Sequence, residues 1–354
     1  MRMKMWLKNK RAAVLIFLPF LLLMPNRLAA EGVNVKAIVF EHLRDSYEWH
    51  ITNWGEKEIF ISLPVIVKGQ GRGWYLFSSS HLKHGAEYEG FRIAEEGEYA
   101  GKVVETNSAG EEMRPTLDLS LTKTVLALMI NCVVLLLIIL PLARWYKKTT
   151  YTPPKGLKGA VEMLLMDIQD ELIKPCIGED YKRYSPYLLT VFFFIFVNNL
   201  MGLMPFFPGG ANVTGNIAIT MVLAVCTLLV VNFSGNKAYW KEVFWPDVPV
   251  WLKVPLPIIP LIEIVGVFTK PFALMIRLFA NIMAGHSVIL GLICLIFITV
   301  AMGAAVNTSM SVVAVLFTIF MNFVELLVAY IQAYVFTLLS AVFIGLSTAK
   351  HHAE

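Results

Sequence analysis

Two apolar runs near the C-terminus are longer than one crossing of a membrane requires. They extend over 254–302 and 310–346. As helices rising about 1.5 Å per residue, they would measure about 70 Å and about 55 Å, whereas the hydrocarbon core of a bilayer is about 30 Å thick. Each run must therefore tilt steeply, kink or cross more than once, and Lys270-Pro271 is one candidate for a kink because proline lacks a backbone donor. The pattern predicts a hairpin of two long, steeply tilted helices.

Three shorter apolar runs precede this hairpin, over 122–143, 187–207 and 216–232. Hydrophobic residues make up 57% of the 354-residue chain and charged residues only 16%, a balance that few soluble proteins tolerate. The formal net charge of +4 is small and is not gathered in one patch, so it gives no indication of nucleic-acid binding. The sequence predicts an all-α polytopic membrane protein with five membrane helices.

The first 30 residues have the pattern of a secretory signal peptide. Met1–Arg11 is basic, 12–24 is apolar, and Leu28-Ala29-Ala30 offers a small-residue cleavage site. An uncleaved membrane anchor is the alternative, although the apolar core is short for a span. Either way, the sequence predicts a chain directed to a membrane.

Residues 31–120 are more polar and predict a small β-rich extension. Alternating segments at Glu58–Val67, Gly73–Phe77 and Glu98–Val104 predict short strands separated by glycine-containing turns. The region also contains four histidines: His42, His50, His81 and His84. Without thiolates or closely paired carboxylates beside them, these histidines predict no metal site.

The connections between the apolar runs alternate in charge. The basic connections are 144–158, 182–183 and 237–253, whereas 208–215 and 303–309 carry no charge. The positive-inside rule therefore places the basic connections and the C-terminus in the cytoplasm and the extension in the periplasm. The predicted parts are a signal peptide at 1–30, an extension at 31–120, a membrane domain at 121–348 and a cytoplasmic tail at 349–354.

The segment Lys158–Leu172 is too polar to span a bilayer. Apolar residues such as Val161 and Ile168 alternate with acidic residues such as Glu162 and Asp167 at helical spacing. This pattern predicts an amphipathic helix on the cytoplasmic face of the membrane, with a short cytoplasmic hairpin as the alternative.

Ionisable and amide side chains recur inside both long helices, where their burial is costly and indicates function. The first helix contains Glu263, Lys270, Arg277, Asn281 and His286, and the second contains Asn322, Glu325, Gln332 and Ser340. At about 100° per residue, the polar residues of each helix form one stripe, except that His286 falls on the opposite face from Arg277. In an antiparallel hairpin we expect Arg277 level with Gln332, and His286 level with Glu325.

Arg277 and the titratable residues of the two long helices suggest two different roles, a fixed charge and a path for protons. Arginine stays charged under accessible conditions, so it can attract a carboxylate and displace its proton but cannot carry that proton itself. His286 and Glu325 can exchange protons and suit a water-lined path on the outer side of Arg277. Glu263 suits a second path on the cytoplasmic side. Two partial paths separated by a fixed cation would prevent direct leakage.

Simpler structural roles compete with this hypothesis. A membrane arginine or lysine can extend to the lipid surface, which is an alternative for Arg277 and for Lys270. His286 and Glu325 can also form a plain interhelical hydrogen bond. Two further polar residues of the second helix, Asn322 and Ser340, are expected to pack helices rather than to act in a site.

The polar part of the first long helix resembles the signature helix of F-type ATP synthase a-subunits. Their pattern is Arg-Leu-Phe-small-Asn, followed by a small residue, Gly, and Glu or His. Arg277-Leu-Phe-Ala-Asn281 and Ala284-Gly285-His286 match it. The second helix resembles the last helix of that family, in which a titratable residue precedes a Gln by seven positions, here Glu325 and Gln332. Some relatives carry Glu at the first titratable position and His at the second, the reverse of this chain.

Earlier segments resemble the family less specifically. The segment from Asn199 to Pro205 is similar to the end of the second span of the family, and Asn212-Val-Thr214 to the start of the next. The resemblance implies that Asn199 and Asn212 line an outer half-channel. Gly202 stands where some relatives have an acidic residue, so the implied outer half-channel carries one charge fewer in this chain.

The resemblance implies a function for the chain as a subunit. A carboxylate of a rotating c-ring would pass Arg277, release its proton to one half-channel and be reloaded from the other, and the rotation would drive ATP synthesis in a soluble head. The implied proton path comprises His286, Glu325, Gln332, Asn281, Glu263, Asn199 and Asn212. The implied partners are the c-ring, the b subunits of the peripheral stalk, the F1 head and membrane lipid. No phosphate-binding loop is found, and we expect no nucleotide site, cofactor, metal or enzymatic activity of the subunit alone.

A secondary cation antiporter is the main rival, because it also places charged groups at the middle of the membrane on interrupted helices. It predicts two repeated halves, whereas the polar residues concentrate in the last two helices of this chain. A membrane-anchored sensor with 31–120 as its ligand domain is a second rival. That interpretation does not explain why Arg277, His286 and Glu325 occur in segments predicted to lie in the membrane.

Overall fold

The computed structural model of the chain describes residues 44–349, except 55–56, 71–72, 96, 107–111, 149–151, 205–206 and 246–257. The predicted signal peptide and nearly all of the predicted cytoplasmic tail lie outside the described residues. Strands occur before residue 119 and helices dominate after residue 122. This change coincides with the change from polar to apolar sequence.

The extension consists of short antiparallel strands. They are β1 Glu48–Trp54, β2 Lys57–Ser62, β3 Pro64–Lys68, β4 Trp74–Ser78, β5 Phe91–Ile93, β6 Val103–Thr106, β7 Glu112–Met113 and β8 Leu117–Asp118. Strands β1 and β2 form a hairpin, β4-β3-β8 form a second sheet and β5-β6-β7 form a third. The inward side chains of the second and third sheets, among them Val65, Val67, Phe91 and Val103, share one core.

Two strand predictions differ from the structure. The predicted strand Glu58–Val67 is divided between β2 and β3 at Leu63, which is buried. The predicted strand Glu98–Val104 is wrong before Val103, because 97–102 forms a turn. Gly97 and Gly101 there have φ values of 86° and 75°, a conformation that glycine adopts at no steric cost and that ends an extended run.

The membrane domain consists of helices. They are α1 Lys123–Lys148, α2 Leu157–Asp167, α3 Lys174–Ile177, α4 Tyr181–Gly202, α5 Ile217–Ser234, α6 Lys237–Phe244, α7 Ile258–Thr299 and α8 Ala304–Thr348. Within the described residues, five helical stretches are long and apolar enough to cross a membrane: α1, 157–202, α5, α7 with its last turn, and α8. The mostly helical architecture agrees with the predicted polytopic membrane protein.

The predicted amphipathic helix over Lys158–Leu172 is present as α2 and a π-helical turn, Ile168–Ile173, that leads into α3. Ile168, Leu172 and Ile173 are fully buried in the bundle, whereas Met163 remains exposed. The apolar side of this segment therefore packs against the other helices as well as facing outward. Its position at the membrane surface stays a prediction.

The core of the bundle lies where α4, α7 and α8 meet the segment after α2. Its large buried side chains include Leu188, Phe192, Leu274, Leu278 and Ile344. Small residues allow close approach here, since a side chain at Gly345 of α8 would overlap the carbonyl oxygen of Cys176. Close backbone approach of this kind is how helices in lipid gain packing energy.

The last two helices form the predicted long hairpin. Helix α7 has 42 residues and α8 has 45, which corresponds to about 63 Å and about 68 Å. Helix α7 continues through Pro271. The turn between them uses Gly303, whose φ of 100° would strain any residue with a side chain.

The predicted neutral connection 303–309 is shorter than expected, because α8 already begins at Ala304. Thr308 and Ser309 donate hydrogen bonds to the carbonyl groups of Ala304 and Ala305. Their polar side chains are thus satisfied within the helix, and the helix extends one and a half turns beyond the apolar run.

Candidate functional site

The hairpin brings His286 of α7 next to Glu325 of α8. The imidazole Nδ1 lies 3.5 Å from the carboxylate Oε1. This is the level pairing that the spacing of the two helices predicts. The side chain of Glu325 is only 3% exposed and that of His286 is 19% exposed. The pair therefore lies inside the chain, shielded from the surface that faces lipid or a partner.

The carboxylate of Glu325 is held in a small space. Both of its oxygen atoms are buried and have no hydrogen-bond partner within the described residues. A Cβ atom at Gly285 would lie 2.9 Å from Oε1 of Glu325, so the glycine leaves the room that the carboxylate occupies. Burying an ionised carboxylate without hydrogen bonds is costly, and a group so placed is suited to binding and releasing a proton.

The other nitrogen of His286 faces α4. A Cβ atom at Gly202 would lie 3.7 Å from Nε2 of His286 and 3.6 Å from the carbonyl oxygen of Ala211. The imidazole thus lies between Glu325 on one side and the end of α4 on the other. Gly202 is therefore the residue of α4 that Nε2 of His286 faces.

Asn199 connects α4 to both neighbouring segments. Its Nδ2 donates to the carbonyl oxygen of Ala329 in α8 at 3.3 Å, and its Oδ1 accepts from the hydroxyl of Thr214 at 2.6 Å. Asn199 is 3% exposed and Thr214 is 1% exposed. Both polar atoms of the Asn199 amide are therefore hydrogen-bonded. The acceptor residue Ala329 lies one helical turn from Glu325 on α8.

Asn212 stabilises the segment between α4 and α5. Its Oδ1 accepts a hydrogen bond from the backbone N–H of Gly215 at 2.8 Å, and its Nδ2 is buried without a partner among the described residues. At the end of this segment, Asn216 caps α5 by accepting from the N–H of Ala218. The segment is thus held by its own polar side chains next to Asn199.

Arg277 lies on a different face of α7. It is exposed, and no hydrogen bond or ion pair joins it to another residue of the described part of the chain. Asn281, one turn further, is exposed as well. The exposed residues on this face also include three alanines: Ala273, Ala280 and Ala284. Small residues beside Arg277 form a surface that allows another helix to approach closely.

No hydrogen bond joins Arg277 to Gln332 in the described residues. Gln332 is 6% exposed, whereas Arg277 is exposed. The predicted contact between the two polar stripes is present at His286 and Glu325, and the level placement of Arg277 and Gln332 stays a prediction. Arg277 extends away from the bundle because the core side of α7, with Leu274, Leu278 and Ile282, lies about 60° to 140° around the helix from Arg277.

The beginning of α7 has its own polar group. Glu263 is half-buried there, and burial together with the charge of Glu263 raises the pKa of Tyr239 in α6. Tyr239 lines a cavity of about 30 Å³ that also contacts Lys270, Pro271 and Phe343. A cavity of that volume can hold about one water molecule. The Nζ atom of Lys270 lies 5.9 Å from the centre of the Phe343 ring.

Sequence reasoning missed two polar contacts that involve α4. One is Thr214, whose hydroxyl holds Asn199. The other is Asn131 of α1, whose Nδ2 donates to Oδ1 of Asn198 in α4 at 2.9 Å. Asn131 lies inside an apolar run, and such a polar residue at membrane depth is the signal from which a helix contact could have been predicted.

Comparisons with known proteins agree with these motifs. A family model described as ATP synthase A chain matches residues 125–345. The chain is 44% identical over 234 residues to ATP synthase subunit a 2 of Chlorobaculum tepidum, covering 66% of this chain and 64% of that relative. It is 42% identical over 239 residues to ATP synthase subunit a of Chloroherpeton thalassium, covering 66% and 68% of the two chains. It is 41% identical over 255 residues to ATP synthase subunit a of Myxococcus xanthus, covering 69% and 79%.

The match thus spans slightly less than two thirds of the length of the Chlorobaculum relative. A second family model, described as Domain of unknown function (DUF8433), matches residues 38–124. This second match covers the strand-rich extension and ends where α1 begins.

Proposed function

The chain belongs to the ATP synthase A chain family, and from this premise we propose that it is the stationary proton-channel subunit of an F-type ATP synthase. It provides two offset half-channels and an essential arginine that couple proton flow to rotation of a c-ring. The subunit is no enzyme on its own and binds no nucleotide. It works in the inner membrane of a bacterial cell, with its extension in the periplasm and its C-terminus in the cytoplasm.

The observation that carries this proposal is the separation of a fixed cation from a buried titratable pair on one helix. Arg277 is exposed on the alanine-lined face of α7. His286 and Glu325 lie inside, with Nδ1 and Oε1 3.5 Å apart. Nine residues separate Arg277 from His286, a rise of about 13.5 Å along the helix. A group that passes Arg277 on the outside thus remains separated from the inner pair by the body of α7.

The outer half-channel comprises His286, Glu325, Asn199 and Asn212. In support, His286 lies between Glu325 and the end of α4, and Asn199 lies between α8 and Thr214. These residues share the end of the membrane domain at which the extension lies. A proton entering from the periplasm is passed by the imidazole and the carboxylate toward the c-ring.

The inner half-channel begins at Glu263. In support, Glu263 is half-buried near Tyr239, and the small cavity beside Tyr239 extends between α5, α6, α7 and α8. Asn281 and Gln332 belong to the region between the two half-channels. Asn281 is exposed on the face of Arg277, and Gln332 is buried on α8.

Arg277 provides a permanent positive charge for the c-ring carboxylate. In a low-dielectric site, a guanidinium attracts a carboxylate strongly and favours its ionised form. The carboxylate therefore releases its proton as it reaches Arg277 and is protonated again from the other half-channel. Since arginine does not release its own proton, protons do not leak from one half-channel to the other.

The partners in this proposal are the c-ring, the b subunits of the peripheral stalk and, through the complex, the F1 head. The secondary cation antiporter that the sequence left open is not favoured, because the family match covers the whole hairpin with its polar residues.

ATP-driven proton pumping in inverted membrane vesicles tests the proposal. We expect Arg277→Ala to reduce pumping at least about 100-fold, as loss of one preorganised electrostatic group does in other sites. The complex should still assemble, and the detached head should still hydrolyse ATP. Arg144→Ala, at the exposed end of α1, is the matched control and should pump normally. Near wild-type pumping by an assembled Arg277→Ala complex would overturn the proposal.

A further inference from the structure

The extension is fixed to the first membrane helix by hydrogen bonds. The backbone N–H of Lys123 donates to the carbonyl oxygen of Ser46 at 2.8 Å, and the N–H of Thr124 donates to Oδ1 of Asp45 at 3.0 Å. These two donors belong to the first turn of α1, where no partner exists within the helix. The strand β1, which begins two residues after Ser46, therefore starts from a defined position at the outer end of α1.

Trp49 of β1 contacts the membrane domain. Its side chain is 3% exposed and is buried with Ala127 of α1 and with Ala211 and Val213, which precede α5. Its ring also lies edge-on to Phe207, with ring centroids 5.2 Å apart. Trp49 therefore packs against both ends of the segment 207–213.

The segment that Trp49 covers carries contacts of the proposed outer half-channel. Val213 is followed by Thr214, which donates to Oδ1 of Asn199. The carbonyl oxygen of Ala211 lies 3.6 Å from the point where a Cβ atom at Gly202 would be, and Nε2 of His286 lies 3.7 Å from the same point. Trp49 is thus linked to Asn199 through Val213 and Thr214, and to His286 through Ala211 and Gly202.

We propose that Trp49 is a positioning residue for the outer half-channel: it holds 211–214 so that Thr214 stays on Asn199 and the wall around His286 keeps its shape. Trp49 carries no proton and acts through Val213 and Thr214. The inference rests on the proposed function, and it gives residues 38–124 a role in proton entry.

The titratable groups at this end of the hairpin are few. His286 and Glu325 face each other, and α4 contributes the uncharged Asn199 and Gly202. The segment 207–216 contains no ionisable side chain. A displaced segment therefore changes the surroundings of the His286 and Glu325 pair without adding or removing a charge. The expected consequence is a change in the outer pH at which protons enter.

The test is ATP synthesis by the complete complex in proteoliposomes. The pH of the compartment that the extension faces is varied, the other pH is fixed, and a potassium diffusion potential keeps the total driving force constant. We expect Trp49→Ala to move the midpoint of the rate against that pH by on the order of half a pH unit, about threefold in proton concentration. Thr214→Val should move it in the same direction, since it removes the hydroxyl that holds Asn199.

Two variants provide matched comparisons. Trp49→Phe retains a ring against Phe207 and should restore the midpoint to near the wild-type value. Trp74→Ala removes a tryptophan of the same extension that is 56% exposed, and it should leave rate and midpoint unchanged. If Trp49→Ala fails to assemble, Thr214→Val and Trp49→Phe still test the inference.

Three results would overturn it: a lower maximal rate with an unchanged midpoint in Trp49→Ala, a shift in Trp49→Ala without one in Thr214→Val, or an equal shift in Trp74→Ala. Arg277→Ala is measured in parallel. Loss of ATP synthesis in Arg277→Ala with no shift in Trp49→Ala rejects the inference alone, whereas synthesis that survives in Arg277→Ala rejects the proposed function.

Discussion

Most side chains of residues 329–347 of α8 are buried or half-buried in the bundle, whereas large apolar side chains between 312 and 327 of the same helix are exposed. In the first part, Ala333, Ser340 and Ile344 have no exposed surface. In the second part, Leu316 is 62% exposed and Phe323 is 68% exposed. Glu325 lies at the boundary between them and is 3% exposed.

This difference shows which part of the helix the chain stabilises by itself. In lipid, apolar side chains gain little from contacting one another instead of acyl chains, so close packing and small residues hold helices together. The inner half of α8, residues 329–347, has both. The outer half of α8, residues 312–327, presents its apolar side chains to lipid or to another subunit. The buried carboxylate of Glu325 lies near the boundary between these two halves.

The largest expected effect is that of filling the closest contact of the inner half. Gly345→Val would place a side chain on the carbonyl group of Cys176, which is backbone and cannot rotate away. We expect a destabilisation of about 3 kcal/mol, seen as loss of this subunit from the complex on mild heating. Gly291→Val is the control, because a Cβ atom at Gly291 of α7 meets nothing within 4 Å. Equal loss in both variants would contradict the comparison.

A smaller effect is expected from removing apolar contacts. Ile344→Ala, in the inner half, should destabilise by about 2 kcal/mol because it leaves a cavity in a close-packed core. Leu316→Ala, in the outer half, should change stability by less than about 0.5 kcal/mol. The measurement is the temperature at which the subunit dissociates from the complex. If Leu316→Ala costs as much as Ile344→Ala, a partner subunit covers the outer half in the assembly.

The smallest effect concerns the hydrogen bond between Asn131 of α1 and Asn198 of α4. A double-mutant cycle with Asn131→Leu and Asn198→Leu should give a coupling of about 0.6 kcal/mol, the average for such bonds between membrane helices. The same dissociation temperature reports it. A coupling near zero would mean that the hydrogen bond at 2.9 Å contributes no net stability.

The contact between His286 and Glu325 was predictable from the spacing of polar residues in the two long helices. Once two long helices are joined by a short turn, their register follows from residue counts, and His286 meets Glu325 as expected. The same spacing predicted Gln332 level with Arg277 but did not show which side of α7 forms the core. Which faces meet depends on where Leu274 and Leu278 pack, and that requires the other helices.

Contacts between distant segments were not predictable. Thr214 and Trp49 lie outside the two long helices, and each gains its place by folding against α4 or the segment before α5. The predicted strand over Glu98–Val104 failed for a local reason, since Gly97 and Gly101 adopt positive φ values that alternation does not reveal.

The sequence by itself determined the class of protein, the helical hairpin and the identity of Arg277, His286 and Glu325 as unusual residues at membrane depth. Long apolar runs and isolated charges are visible in the sequence itself, and a location within a bilayer accounts for both. Only the tertiary structure decided that Arg277 faces outward, that Glu325 is buried beside Gly285, and that Trp49 covers the segment next to Asn199. Those facts depend on which surfaces exclude one another when helices and strands pack, and no local pattern contains that information.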